Sequence, residues 1–296
     1  MKDTPIPSSI VKEKISESGL QNLGKATIRE IVKLVNEIED ASGQKFIRME
    51  MGVPGLKPSE FGTNAEIEAL KRGVAQKYPM IDGVPELKAE ISRFVKNFIN
   101  IDVDKKCCIP TVGSMQGGMA SFLITNRCNA QKDTVLFIDP GFPVQKQQLK
   151  VLGMKYETFD VYNFRGTKLK EKLERYLKQG NISTILYSNP NNPSWICFTD
   201  NELKTIGELA TKYDTIVIED LAYFAMDFRK DLSKPGEPPY QASVANYTDN
   251  WLMLISSSKA FSYAGQRIGS LVISNKLFCR RFPDLKRYFS SDEFGY

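Results

Sequence analysis

The chain has 296 residues, of which 42% are hydrophobic and 25% are charged, and its formal net charge is +5. This composition predicts a globular protein with enough apolar residues for one large domain or two smaller ones. Basic and acidic residues are intermixed, which argues against a nucleic-acid-binding surface, and no apolar run approaches the roughly 20 residues that span a membrane.

The sequence contains no histidine. This excludes Ser–His and Cys–His nucleophiles and the usual histidine-containing metal sites, so no metal is expected. Any acid–base chemistry must therefore use lysine, tyrosine, cysteine, carboxylates or a cofactor. The five cysteines show no CxxC pairing, and the stretch from Met1 to Gly19 lacks the apolar core of a signal peptide. These features predict a cytoplasmic protein with reduced thiols.

The first third of the chain is predicted to be helical. Residues 1–24 are polar and punctuated by serine and proline, which predicts an arm. Apolar residues at helical spacing then predict a helix from Thr27 to Ala41, and further helices follow at Asn64–Val74 and Pro85–Asn100.

Beyond this region, short apolar runs alternate with stretches long enough for helices. The runs are Cys107–Val112, Thr134–Ile138, Lys155–Phe159, Ser183–Tyr187, Thr215–Ile218 and Trp251–Ile255. The predicted helices are Ser114–Asn126, Gly141–Leu152, Lys168–Gln179 and Asp200–Tyr213. This alternation predicts an α/β fold with a mostly parallel sheet flanked by helices on both faces.

Ligands of such sheets bind beyond the carboxyl ends of the strands, and distinctive motifs follow several of the runs. "GSMQGG" opens a helix whose N–H groups can hold a phosphate, although a plain helix-capping turn has the same composition. In "DPGFP", Phe142 can stack on a flat ring or pack against the sheet edge. "SNPNNP" has more asparagine and proline than a simple turn needs, which favours a binding loop.

Two charged residues also follow buried strands. Asp220, in "EDLAY", ends one run and requires a cationic or N–H partner unless it serves as a helix cap or in a structural salt bridge. Lys259 follows another run within "SSSKAFSYAGQRIG". A partly buried lysine beside a cation has a lowered pKa and becomes a nucleophile able to form a Schiff base.

Taken together, the motifs resemble those of the class I/II aminotransferases, which use pyridoxal 5′-phosphate (PLP) and have the fold called type I. The resemblance rests on "YPMIDG", "VGSMQGG", "DPGFP", "SNPNNP", "EDLAY" and "SSSKAFSYAGQRIG", in that order, from Gly52 to Gly269. Each motif is loose by itself, whereas their order at successive strand ends is specific.

The resemblance implies a role for each residue around the cofactor ring. Lys259 would bind PLP as a Schiff base and move a proton between substrate and cofactor. Asp220 would pair with the pyridine nitrogen and keep the ring an electron sink. Tyr223 and Asn192 would bond the ring hydroxyl, and Phe142 would stack on the ring.

The family pattern likewise implies how the phosphate and the substrate are held. The phosphate would be bound by the N–H groups of Ser114 and Met115 together with Ser256, Ser258 and Arg267. Tyr78 would reach the phosphate in a second subunit, which implies a homodimer with shared active sites. Gly52 and Asn192 would lie against the substrate.

Two departures from the family pattern alter these expectations. Ser194 and Trp195 stand where the family has a small residue and glycine, so the indole is expected to reshape substrate access. The chain ends at Tyr296, before the family's segment that carries a carboxylate-binding arginine, and a fragment of a longer product is expected. The predicted organisation is an arm and helix at 1–46, a large PLP-binding domain at 47–290, and the start of an incomplete small-domain segment at 291–296.

The resulting hypothesis is an aminotransferase of amino acid metabolism that moves an amino group from an amino acid to a 2-oxo acid. A PLP-dependent C–S lyase that performs β-elimination, or another PLP enzyme acting on amino acids, uses the same lysine and aspartate. A non-catalytic module with the PLP fold is the third alternative.

Overall fold

The computed structural model describes residues 4–229, 234 and 236–286, with side chains up to Arg281. Contacts divide the chain into two compact units, Met1–Gly55 and Leu56–Tyr296. The segment 291–296, predicted to begin a small-domain segment, lies outside the described residues.

In the described residues of the first unit, the α-helices are α1 (Ser8–Glu17) and α2 (Ile28–Ser42). Thr27 begins α2 with a capping box, because its side chain accepts from the Glu30 N–H while the Glu30 carboxylate accepts from the Thr27 N–H. The helix ends at Gly43, whose φ of 67° suits glycine. The α2 prediction is confirmed, whereas α1 lies in the region predicted only as an arm.

The second unit alternates strands and helices. Its strands are β1 (Cys108–Val112), β2 (Thr134–Asp139), β3 (Lys155–Asp160), β4 (Ile182–Ser188), β5 (Ile216–Leu221), β6 (Trp251–Ser256) and β7 (Ile268–Ile273). Its helices are α3 (Glu60–Lys71), α4 (Pro85–Ile99), α5 (Gly113–Thr125), α6 (Pro143–Val151), α7 (Thr167–Leu177), α8 (Asp200–Lys212), α9 (Ser257–Ala260) and α10 (Asn275–Lys286).

The seven strands form one sheet in the order β1-β7-β6-β5-β4-β2-β3. Strands β2 to β6 are parallel, and β7 runs antiparallel to both β6 and β1. The predicted fold class is therefore confirmed. The sequence reading omitted β7, whose apolar residues follow immediately after the lysine and arginine motif.

Both faces of the sheet are covered. Successive residues of β5 illustrate this, since Val217 belongs to a core shared with α7 and α8, while Ile218 belongs to a second core shared with α5 and α6. Every residue of β4, β5 and β6 is buried, as expected for central strands covered on both faces.

The register of the central strands places their carboxyl ends side by side. Ser188 of β4 pairs with Asp220 of β5, which in turn pairs with Leu254 of β6. The loops that follow these three strands therefore leave the sheet next to one another, at the edge where ligands bind in such folds.

Candidate functional site

Asp220 is a buried carboxylate in the penultimate position of β5, with only 6% of its surface exposed. Its oxygens accept hydrogen bonds from the Gln145 side-chain amide at 2.8 Å and from the Ala222 N–H at 3.1 Å. Burial raises the pKa of Asp220 to about 6, although both hydrogen bonds favour the charged form. Among the described residues, no cation forms an ion pair with this carboxylate.

The loop after β4 is held rigidly beside Asp220. The Asn191 side chain donates to the Pro140 carbonyl at 2.7 Å and to the Ser188 hydroxyl at 3.1 Å, and its oxygen accepts from Ser194. The backbone N–H of Asn192 donates to Ser188 at 3.3 Å, and Asn192 is half-buried. The Asn192 side chain is thus carried by a loop whose backbone is fixed by its neighbours.

Lys259 lies in α9, directly after β6, and is half-buried. Burial lowers the pKa of its ammonium group, and the positive charge of Arg267 lowers it further. The two cations are brought near each other because β6 and β7 pair antiparallel, with Ser256 opposite Gly269. A lysine whose neutral form is favoured in this way can act as a nucleophile or a base.

The first residues of α5 lie against the residues at the start of β7, and together they form a cradle. The Gly113 N–H donates to the Arg267 carbonyl at 2.7 Å, and the Arg267 guanidinium lies where a side chain on Gly113 would stand. A Cβ on Gly269 would come within 2.6 Å of the Gly113 carbonyl carbon. Glycine is therefore required at both positions for the helix end and the arginine to meet.

Hydroxyl groups complete this cradle. The Ser256 hydroxyl caps α9 by accepting from the Ser258 N–H at 3.1 Å and also donates to the Ser258 hydroxyl at 2.9 Å. Ser114 and Met115 occupy the first turn of α5, where N–H groups are free of helical partners. A guanidinium, two hydroxyls and a helix N-terminus together fit a phosphate group.

Tyr223 follows β5 and is half-buried. Burial raises the pKa of its hydroxyl, and the Asp220 charge raises it further. The Tyr223 ring meets the Trp195 indole edge-on at a centroid distance of 5.6 Å. Tyr223 and Asn192 thus lie in the loops that follow β5 and β4, two neighbouring strands of the sheet.

The remaining predicted site residues lie in three different settings. Phe142 is half-buried and immediately precedes α6, the helix that carries Gln145 to Asp220. Tyr78 is fully exposed. Gly52 belongs to the first unit, so its predicted contact with substrate stays a prediction.

Sequence reasoning missed several residues that build this site. Gln145 lies 75 positions from Asp220 in the chain, and nothing in its local sequence distinguishes it from other helical glutamines. Gly113 and Gly269 lie within the quoted motifs, but their roles depend on the pairing of β1 with β7, a strand that the sequence did not predict.

The polar groups fit pyridoxal phosphate. A buried carboxylate that has no cationic partner among the described residues suits a protonated pyridine nitrogen, the cradle suits the phosphate, and Lys259 suits the aldehyde carbon. The described residues contain no cluster of three or more Cys, Asp and Glu that could hold a metal. Within the same described part of the chain, no helix is both long and apolar enough to cross a membrane.

Comparison with known proteins gives a consistent result. The chain is 27% identical over 285 residues to the LL-diaminopimelate aminotransferase of Methanococcus maripaludis, covering 93% of this chain and 65% of that protein. It is 25% identical over 256 residues to the aspartate aminotransferase of Pyrococcus horikoshii, covering 86% of this chain and 61% of that protein. The chain therefore spans less than two thirds of the length of either relative.

The fold is shared with a solved structure. Aspartate aminotransferase from Thermus thermophilus with maleate superposes with a TM-score of 0.72 at 18% identity, over 93% of this chain and 67% of that one. The sequence model of the family described as aminotransferase class I and II matches residues 44–295. The chain, with its Lys259, Asp220 and helix-end cradle on one edge of the sheet, belongs to the aminotransferase class I and II family.

Proposed function

We propose that this chain is part of a pyridoxal-phosphate-dependent aminotransferase that moves an amino group from an amino acid to a 2-oxo acid. The observation that carries the proposal is the buried Asp220 carboxylate, which lacks a cationic partner among the described residues and stands on the sheet edge that also carries Lys259. Both relatives named above are aminotransferases, which supports the same reaction class.

When bound, the cofactor supplies an electron sink for the bonding electrons released at the substrate Cα. Asp220 holds a proton on the pyridine nitrogen, because a buried carboxylate is stabilised by an adjacent cation. The hydroxyl of Tyr223 and the amide of Asn192 would bind the hydroxyl oxygen of the ring, and Phe142 would pack against the ring.

Lys259 serves as the covalent anchor and then as the base. Its lowered pKa leaves more of the neutral amine near pH 7, so Nζ would be able to take and hold the proton from the substrate Cα. Ser256, Ser258, Arg267 and the first turn of α5 hold the phosphate throughout.

The test of this function uses the full chain, pyridoxal phosphate and a panel of amino acids with 2-oxoglutarate. We expect the bound cofactor to give a visible absorption band, and at least one amino acid to yield its 2-oxo acid together with glutamate. Formation of pyruvate and ammonia without need of an oxo acid would instead establish β-elimination. A protein that stays colourless after cofactor addition would overturn every PLP-dependent reading.

We also infer that the protein is a cytoplasmic homodimer. The cysteine spacing supports the reducing compartment, because the five cysteines show no CxxC pairing. The segment 56–84 supports the dimer, because many of its apolar side chains face solvent: Leu56, Phe61, Tyr78, Met80 and Ile81. In such a dimer, Tyr78 of one subunit would reach the phosphate in the other.

Charged substitutions in this segment test the dimer. The double variant Phe61→Asp, Ile81→Asp is expected to weaken self-association about tenfold or more, because it places two carboxylates in an apolar interface. Sedimentation at several protein concentrations measures the change, and Tyr162→Asp, at an exposed aromatic outside the segment, is the control. A wild-type chain that stays monomeric at micromolar concentration would refute the inference.

A further inference from the structure

Trp195 has an unusual backbone for a large side chain. Its φ of 58° lies in the left-handed region, which is unfavourable for residues other than glycine. The turn is enforced by its hydrogen bonds, because the Trp195 N–H donates to the Asn191 carbonyl at 2.8 Å and the Asn191 N–H donates to the Ile196 carbonyl at 2.9 Å. A strained backbone that carries a bulky ring next to a functional loop indicates a role for the ring.

The ring contacts of Trp195 point towards the site. The indole lies against Tyr223 with an interplanar angle of 71° and stacks on Phe228 at 6.2 Å and 19°. Trp195 is 43% exposed and Phe228 is 81% exposed, so hydrophobic burial alone gives little reason to keep the indole there. The contact that best explains the position of the indole is the one with the half-buried Tyr223 ring.

Tyr223 needs such support because it follows β5 in a turn rather than in a helix or strand. Neighbouring backbone is fixed, since the Phe224 N–H donates to the Leu221 carbonyl at 3.0 Å, but this bond leaves the side-chain torsion of Tyr223 unconstrained. An edge-to-face aromatic contact restricts that torsion and has a preferred geometry.

We propose that Trp195 is a positioning residue that holds the Tyr223 ring so that its hydroxyl points at the ring oxygen of the cofactor. This inference rests on the proposed function. It gives a role to the tryptophan that stands where the family has glycine. The hydroxyl of Tyr223 donates to the cofactor oxygen and stabilises its deprotonated form. Release of the Tyr223 ring therefore makes that oxygen harder to deprotonate.

A double-mutant cycle tests the coupling. The pH midpoint of the visible band of the bound cofactor is measured in wild type, Trp195→Gly, Tyr223→Phe and the double variant. Trp195→Gly should raise the midpoint in the same direction as Tyr223→Phe, but by less, and weaken cofactor binding about two- to twelvefold. In the Tyr223→Phe background, Trp195→Gly should have no further effect on the midpoint.

Two further variants separate positioning from folding. Glycine accepts a φ of 58° without strain, so Trp195→Gly should keep the unfolding temperature of the cofactor-free chain close to wild type. Trp195→Phe retains an aromatic edge, so its pH midpoint should stay close to that of the wild type. Tyr162→Ala removes an exposed ring elsewhere and should leave the midpoint unchanged.

The outcomes distinguish this inference from the function on which it rests. A wild-type chain with no visible band refutes both. A band that forms normally, with equal midpoint shifts from Trp195→Gly in the two backgrounds, refutes the positioning role alone. A midpoint that does not move in Trp195→Gly refutes it as well.

Discussion

Lys259→Ala is expected to abolish the visible band of the bound cofactor and to lower the transamination rate by at least about 10³-fold. The physical reason is that one amine performs two tasks, covalent anchoring and proton transfer, and alanine can do neither. The phosphate cradle remains intact in this variant, so some non-covalent cofactor binding should persist. Absorbance spectra and single-turnover rates measure the two losses separately.

A chemical trap gives a readout independent of turnover. Borohydride treatment of the wild-type chain with cofactor should fix the cofactor to one lysine, and peptide mass mapping should find it on Lys259. Lys276→Ala is the matched control, because Lys276 is an exposed lysine paired with Asp249 at 2.9 Å. Labelling of another lysine in the wild type, or a normal band in Lys259→Ala, would contradict the assignment.

Asp220→Asn should change stability and activity in opposite directions. The pKa of Asp220 is raised to about 6 in the folded chain, against about 4 in an unfolded chain, so the folded state binds more protons between these values. Burial of this carboxylate therefore does not lower the free energy of unfolding below about pH 4. The loss of stability grows as the pH rises and is complete above about pH 6. Without cofactor, the asparagine variant should be more stable by about 1–3 kcal/mol at pH 7 and equal to wild type at pH 4.

The same substitution should lower activity by about 10²–10³-fold, because a neutral amide cannot stabilise the protonated pyridine nitrogen. Gln145 can rotate its amide to accept from the new asparagine, so the local hydrogen bonds survive. Urea denaturation at two pH values measures stability, and stopped-flow rates measure activity. Asp249→Asn, at an exposed ion pair, is the control, and near-wild-type activity in Asp220→Asn would exclude the pyridinium role.

Much of the fold was predictable because the central strands are rich in apolar residues. A strand buried on both faces is mostly apolar, so β4 and β6 are visible in the sequence, although β4 also carries the buried Ser183 and Thr184. β7 was missed because it begins at the exposed Ile268 and contains Gly269 and Ser270, which weaken the apolar signal. The α1 helix was missed because its stretch contains serines and charges that resemble an arm.

The site was predictable to the extent that its residues sit at strand ends. The order of motifs placed Asp220 and Lys259 on one edge of the sheet, and the register confirms that their strands are neighbours. Contacts between side chains distant in sequence were beyond the reach of local patterns, as for Gln145 with Asp220. The left-handed backbone of Trp195 had one indirect signal, because the family has glycine at this position, whereas a tryptophan by itself does not predict a positive φ.

The pairing of β6 with β7 has a consequence for the spacing of the two basic side chains that follow β6. Ser256 pairs with Gly269, so the connection 257–267 carries both Lys259 and Arg267 between two fixed ends. If Lys259 and Arg267 hold the two ends of the cofactor as proposed, the spacing between those ends is set by this one connection. A change elsewhere in the protein can then alter the substrate site without altering that spacing.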